Sequence, residues 1–292
     1  MSNISVVCFA ASYGVALALE ISRLFFRSGI RGALMIVFGA VGFLTQTIFL
    51  VSRFTESPSQ GWLDWYLLTA WILAAVYLYL TFYHPKNPIG IFILPLVLGL
   101  IGVAYALPDK RGFSVDTSTW GFVHGLALLL GTTIILIGFV GGLMYLIQSE
   151  RLKRKRVPLE KFRLPSLEWT EKITGRCIVI SAILLGIGVL SGIALNAQKG
   201  KLPWTDPIVW SSGLLLLWLT LAMVFNMAYR PARQGRKVAY LTVASMIFLL
   251  LVLAITQLVP SEHPTRLSAV TVKQVLDERS HLDRYRIERG AS

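Results

Sequence analysis

Four histidines are the side chains of this sequence best suited to hold a metal: His84 in YHPKNP, His124 in TWGFVHGLALLL, His263 in VPSEHP and His281 near the end. A neutral imidazole is a good iron ligand, and two of them from facing elements make a six-coordinate haem site. Haem is a flat, largely apolar plate with two anionic propionates, so its site needs aromatic walls and a few cations. The stretch GKLPWTDPIVW, Gly200 to Trp210, carries two such rings, Trp204 and Trp210, and Lys201, with Lys199 just before it. Trp120 stands four residues before His124, Trp62 lies further upstream, and Lys110 and Arg111 are further cations. Each residue also has a plainer use, as an interfacial hydrogen-bonding histidine or a belt tryptophan. Only convergence on one side of the molecule favours the haem reading. The two cysteines, Cys8 and Cys177, form neither CxxC nor CxxCH, which excludes a thiol oxidoreductase and a c-type cytochrome.

The elements that must position these residues follow from hydropathy. Of 292 residues, 55% are hydrophobic and 15% charged, with a mean hydropathy of +0.65. Soluble domains carry about 25% charged residues, and a helix that crosses lipid needs roughly 20 apolar ones. Eight stretches qualify, at 4–22, 33–51, 65–83, 89–107, 120–147, 174–196, 208–228 and 238–259. The third is rich in tyrosine and the fourth contains Pro95. The expected fold is all-α: a polytopic membrane protein with about eight transmembrane helices. Both cysteines fall inside expected helices and are read as structural thiols at lipid depth.

A net charge of +13 could point to nucleic acid, but its placement excludes that class. The segments after helices 1, 3, 5 and 7 hold sixteen lysines and arginines, half of them between Arg151 and Lys172, while the alternate segments hold five. Positive charge concentrates on the cytoplasmic side. Both termini are therefore expected outside, and RLKRKR at 151–156 is a topology signal that would also meet anionic lipids. The positive charges come after helix 1 instead of before it, so helix 1 is expected to be an uncleaved span.

That topology places His124, His263, Trp62, Trp120 and the loop 200–210 on one face, the outer one, and His84 on the cytoplasmic face as an exposed turn histidine. His281 falls in a polar tail, where Val272, Val275 and Leu276 at helical spacing suggest a short amphipathic helix or a disordered end. Asp206 and Pro207 make a good N-cap and N1 pair for helix 7. Capping is the preferred role of Asp206, with direct haem contact the alternative. The segment 148–173, with Pro158 and Pro165, is read as a connector between five spans and three. The chain divides into a four-helix membrane segment at 1–111, a second membrane unit with the Trp-Asp-Pro loop at 112–265, and the tail at 266–292.

The order from His124 to Lys155, HGLALLLGTTIILIGFVGGLMYLIQSERLKRK, followed by LPSLEWTEKITGRCIVISAILLGIGVLSGI, the Trp-Asp-Pro loop and His263, resembles the cytochrome c assembly family, the CcsA/HemX-like haem-handling membrane proteins. The likeness covers roughly 120–265, with the first four helices matching in number and length alone. In that family an outer tryptophan-rich WWD loop is flanked by two haem-ligating histidines. Here the loop is a degenerate WWD element: Thr205 precedes Asp206, the ring is on Trp204, and Ile208 stands where a basic residue is usual.

The resemblance implies a non-enzymatic haem-binding protein of cytochrome c maturation in a bacterial inner (plasma) membrane, presenting non-covalent b-type haem at the outer face. His124 and His263 would be the axial ligands, with Trp120, Trp204 and Trp210 as walls. Its partners would be haem, other maturation subunits, apocytochrome c and anionic lipids at the basic cytoplasmic loops. The alternatives are a HemX-like non-catalytic regulator of tetrapyrrole synthesis and a secondary transporter. The transporter reading has few ionisable groups to use, since Glu20, at the inner edge of helix 1, is the acid within an expected span.

Overall fold

The computed structural model describes residues 2–23, 29–56, 62–84, 87–106, 118–154, 165–198, 207–228 and 235–258. These form eight helices: α1 (Ser2–Ser22), α2 (Gly29–Glu56), α3 (Trp62–Tyr83), α4 (Gly90–Ala106), α5 (Thr119–Lys153), α6 (Leu167–Gln198), α7 (Pro207–Ala228) and α8 (Gly235–Leu258). There is no strand among the described residues. The chain is an all-α, multi-pass membrane protein. α2, α3, α5, α6, α7 and α8 hold apolar stretches long enough to cross a bilayer, while the apolar stretch of α1, Val6–Ser22, and α4 are shorter. At 17 residues α4 is about 25 Å long, less than the roughly 30 Å of hydrocarbon. It runs unbroken through Pro95, its sixth residue, so the Ile91 oxygen lacks the amide donor it would otherwise have.

Helix length is where hydropathy misleads most. α5 runs six residues past its apolar end at 147, and α6 begins at Leu167 instead of 174. Both ends of the expected connector are therefore helix. A helix satisfies its own backbone whether or not its side chains are apolar, so it continues beyond the lipid where polar pairs support it. Glu150 accepts from Arg154 and Glu168 from Lys172, each pair one turn apart. Ser166 begins α6 by accepting from the Trp169 amide, and Ser118 begins α5 by accepting from the Gly121 amide at 3.1 Å.

The helices pack as two rings. α1 lies against α2 and α4, and α3 against α2 and α4; α5 lies against α6 and α8, and α7 against α6 and α8. α5 also touches α3 and α4 and so joins the rings. The tyrosines of α3 explain themselves here. Tyr66 and Tyr77 fill the core with Leu67, Ala70, Leu73 and Ala74, while Tyr79 and Tyr83 are exposed. Glu20, only 1% exposed, lies at the end of α1, where a Cβ on Gly90 at the start of α4 would come within 2.6 Å of its Oε1. It faces a positive helix end and sits near the end of the bundle instead of its middle. Cys177 is buried between α6 and α5, against Gly138, and Cys8 is exposed.

Candidate functional site

α5 and α6 form the most extensive helix pair. Glycines let them approach. A Cβ at Gly131 would meet Leu185 at 3.3 Å, at Gly138 it would meet Cys177 at 3.0 Å, and at Gly188 it would meet Leu128 at 2.7 Å. Small residues at membrane helix interfaces allow this close backbone contact. At the start of α5 the same arrangement brings His124 onto α6. Its ring is seated against Gly192, where an added Cβ would lie 2.8 Å from Cε1 and 2.9 Å from Nδ1.

The imidazole is held by one strong interaction. His124 Nδ1 is 2.7 Å from the backbone oxygen of Gly188. A carbonyl can only accept, so Nδ1 carries the proton, and in the neutral form of the ring the lone pair is on Nε2. This is the arrangement found around metal-bound histidines: one nitrogen donates to a carbonyl, which fixes ring and tautomer and leaves the other for the metal. The Gly188 oxygen also accepts from Ser191 Oγ at 2.9 Å. Among the described residues no three His, Cys, Asp or Glu side chains come together, so they offer no site with three or more protein ligands of these types. Haem takes two axial ligands; His124 is one candidate donor, and the other described histidine, His84, follows the far end of α3.

The aromatic residues expected to wall the site differ in placement: Trp120 shares α5 with His124, while Trp210 is on α7, which among the described residues packs against α6 and α8 and not against α5. Trp120, one turn earlier on α5, is 45% exposed and Trp210, on the first turn of α7, is 70% exposed. Phe122, between Trp120 and His124 in sequence, is exposed as well. Trp65 was not anticipated. It stands on the first turn of α3, and its ring would meet a Cβ placed on Gly125 at 2.8 Å. The WLDW spacing, two rings three residues apart and hence on one helix face, was the available signal. Its neighbour Asp64 is buried and ion-paired with Arg53 at the end of α2. The starts of α3 and α5 and the ends of α2 and α6 thus share one end of the molecule.

Two expected features can be located and others cannot. α7 begins at Pro207, as an N1 proline should. His84 directly follows α3, with its side chain exposed and its backbone oxygen accepting from the Asn87 amide, which is the turn role expected for it. Trp204, Asp206, His263, His281, the lysines at 110, 199 and 201, Arg111 and the tail from 266 lie outside the described residues.

Comparison with known proteins gives a consistent result. A family model described as cytochrome C assembly protein matches residues 61–262, which takes in α3 and α4 as well as the helices the sequence motifs pointed to. The chain is similar to the cytochrome c biogenesis protein CcsA of a Synechococcus strain, with 22% identity over 271 residues, covering 82% of this chain and 88% of the relative. The protein of the same name from Parasynechococcus marenigrum is 23% identical over the same length and coverage. That of Guillardia theta is 22% identical over 231 residues, 70% of this chain and 75% of the relative. No solved structure matches the chain.

Proposed function

The chain belongs to the cytochrome c assembly protein family, and from that premise we propose that it holds haem at the outer face of a bacterial inner membrane during cytochrome c maturation. The observation that carries this reading is the His124–Gly188 hydrogen bond, which lies inside the family-matched segment and commits Nε2 to an acceptor role. Bound there, haem would supply an iron that takes imidazole nitrogen at its axial positions. His263 is the proposed second ligand. α8 starts beside the end of α5, where Arg236 bonds Glu150, and runs 24 residues, about 36 Å, to Leu258. It therefore finishes towards the His124 end, five residues before His263.

The other residues have supporting parts. Trp120, Trp204 and Trp210 supply apolar ring surface, and Trp65 packs behind the first turns of α5. Lysines 199 and 201, with Lys110 and Arg111, supply positive charge for propionates. Asp206 caps α7. The protein is a carrier in this reading, not a catalyst: attachment of haem to apocytochrome c is left to other maturation subunits. The basic segments between α5 and α6 and between α7 and α8 face the cytoplasm and its anionic lipids.

The test is spectroscopic. The purified protein should show a Soret band. His124→Ala or His263→Ala alone should shift it and weaken binding, and added imidazole should restore it by occupying the vacated position. The double variant should bind no haem specifically, while His84→Ala and His281→Ala should match the parent. An unchanged spectrum in the double variant overturns the site. Orientation has its own test, in a background lacking Cys8 and Cys177. An impermeant maleimide applied from outside should label Lys199→Cys and spare Lys155→Cys; the reverse would put both histidines in the cytoplasm.

A further inference from the structure

At the opposite end from His124, the last turns of α5 and the first turns of α8 enclose a cleft of about 420 Å³ lined by Leu146, Ile147, Glu150, Arg151, Arg154, Arg236 and Tyr240. The haem reading makes no use of it. Its charge is one-sided, with three arginines against a single glutamate. Arg236 and Arg154 are oriented by the same carboxylate. Arg236 donates through Nε to Ser149 Oγ at 2.5 Å and through Nη2 to Glu150 Oε2 at 3.1 Å. Arg154 donates to the other oxygen of the same carboxylate at 2.9 Å. A carboxylate shared by two guanidinium groups orients them but balances only one of the two charges.

The remaining walls are apolar or amphipathic. Leu146 and Ile147 belong to the end of the α5 lipid-crossing stretch, and Tyr240, on α8, is 60% exposed. The cleft therefore straddles the level at which α5 changes from LMYLI to SERLK, that is, from hydrocarbon to headgroup depth. A soluble anion would use only the arginine side. A molecule with a phosphate at one end and acyl chains at the other would use both, and the planar guanidinium fork matches phosphate oxygens in pairs.

The geometry points to the α5–α8 cleft as a specific binding site for one anionic glycerophospholipid, its phosphate held by Arg151 and Arg154 with Arg236 behind, and its upper acyl carbons against Leu146, Ile147 and the Tyr240 ring. The assignment to the cytoplasmic leaflet rests on the orientation proposed above; binding itself does not.

Native mass spectrometry of the full-length protein, in detergent with equal amounts of phosphatidylglycerol and phosphatidylcholine of the same acyl chains, tests this. One phosphatidylglycerol should be retained in preference by roughly tenfold or more: both lipids carry the phosphodiester, but the choline ammonium of phosphatidylcholine cancels its net charge and brings a cation against the three arginines. Arg151→Gln with Arg154→Gln should abolish the preference, with circular dichroism and melting temperature of the lipid-free protein unchanged. The corresponding pair of lysine substitutions should keep part of it. Equal retention of the two lipids by the parent, or an unaltered preference in the glutamine variant, overturns the proposal. So does full displacement of the lipid by millimolar inorganic phosphate, which would mark a site for soluble phosphate. The labelling at residues 155 and 199 separates these outcomes from an error in orientation, and the Soret band of the same sample separates them from an error in the haem reading.

Discussion

The α2–α3 interface and the α5–α6 interface solve the same problem, holding two helices together in lipid, by different means. α2 and α3 are joined through side chains. The buried Tyr13 hydroxyl of α1 donates to Gln46 Oε1 at 2.8 Å, and Gln46 Nε2 reaches the Leu67 oxygen of α3 at 3.1 Å. Trp71 Nε1 donates to Thr47 Oγ1 at 2.8 Å and its ring stacks on Phe43, with Arg53 and Asp64 closing the end. α5 and α6 are joined through closeness of backbone. There the hydroxyls of Thr133, Thr174, Ser181 and Ser191 turn back onto their own helices, and glycines face the partner. Among the described residues, the hydrogen bond seen to cross is His124 to Gly188. Side-chain locks leave polar groups fully used. Backbone contact lets an imidazole be gripped by one nitrogen with the other still available, which is what a ligand requires.

The largest effect on stability is expected where the locks are. Gln46→Leu strands the Tyr13 hydroxyl in the core and removes the bond to α3. An unsatisfied buried group costs roughly 1–3 kcal/mol, and hydrogen bonds between membrane helices lie at the lower part of that scale. A loss of about 1–2 kcal/mol in a reversible denaturant titration is the expected outcome. Adding Tyr13→Phe should recover part of it, because the stranded hydroxyl is then gone. If the double variant is as unstable as the sum of the singles, the two residues do not act as a lock.

Much of this contrast was hidden in the sequence, for identifiable reasons. Eight apolar stretches carry the number of helices, because lipid sets their length; the shared side of His124 and the Trp-Asp-Pro loop is an expectation from loop charge, and that loop lies outside the described residues. Pro207 marks the start of α7 by the chemistry of its first turn, whereas the Ser118 cap of α5 was not read from the sequence. A pairing such as Gln46 with Leu67 depends on rotation of one helix about its axis, which an all-apolar surround does not encode. The same holds for Trp65, which meets Gly125 across sixty residues of chain. The helical ends at 148–153 and 167–173 were missed because membrane-scale hydropathy ends where the lipid does, while helix does not.

The site itself should respond to Gly192→Ala in a way opposite to Gln46→Leu. The new methyl would lie within 3 Å of the His124 ring, so the ring must turn and its grip on Gly188 weakens. Changes behind a metal ligand typically cost about 10–100-fold in affinity. Haem retention should fall by that order with a shifted Soret band, while stability changes by about 1 kcal/mol or less. A variant that unfolds like Gln46→Leu but keeps its spectrum would mean that Gly192 serves packing alone.

The smallest effect is expected at Ser191, and it tests what orients the imidazole. The Gly188 oxygen accepts both from His124 and from Ser191 Oγ, and the same hydroxyl also lies 2.7 Å from the Ile187 oxygen. A carbonyl has two lone pairs, so these donors and the helical amide compete for it. Ser191→Ala removes a competitor from a group that remains satisfied. It strands nothing, because the hydroxyl that leaves is the donor and helix α6 keeps its own backbone bonds. Stability should therefore stay within about 0.5 kcal/mol of the parent. Nitrogen-15 spectra of labelled histidine should still show His124 protonated at Nδ1, with a bond to Gly188 at least as strong. If Ser191→Ala instead moves the proton to Nε2, the serine and not the close approach at Gly192 sets the tautomer. The α5–α6 interface would then depend on a side-chain lock after all, as α2–α3 does.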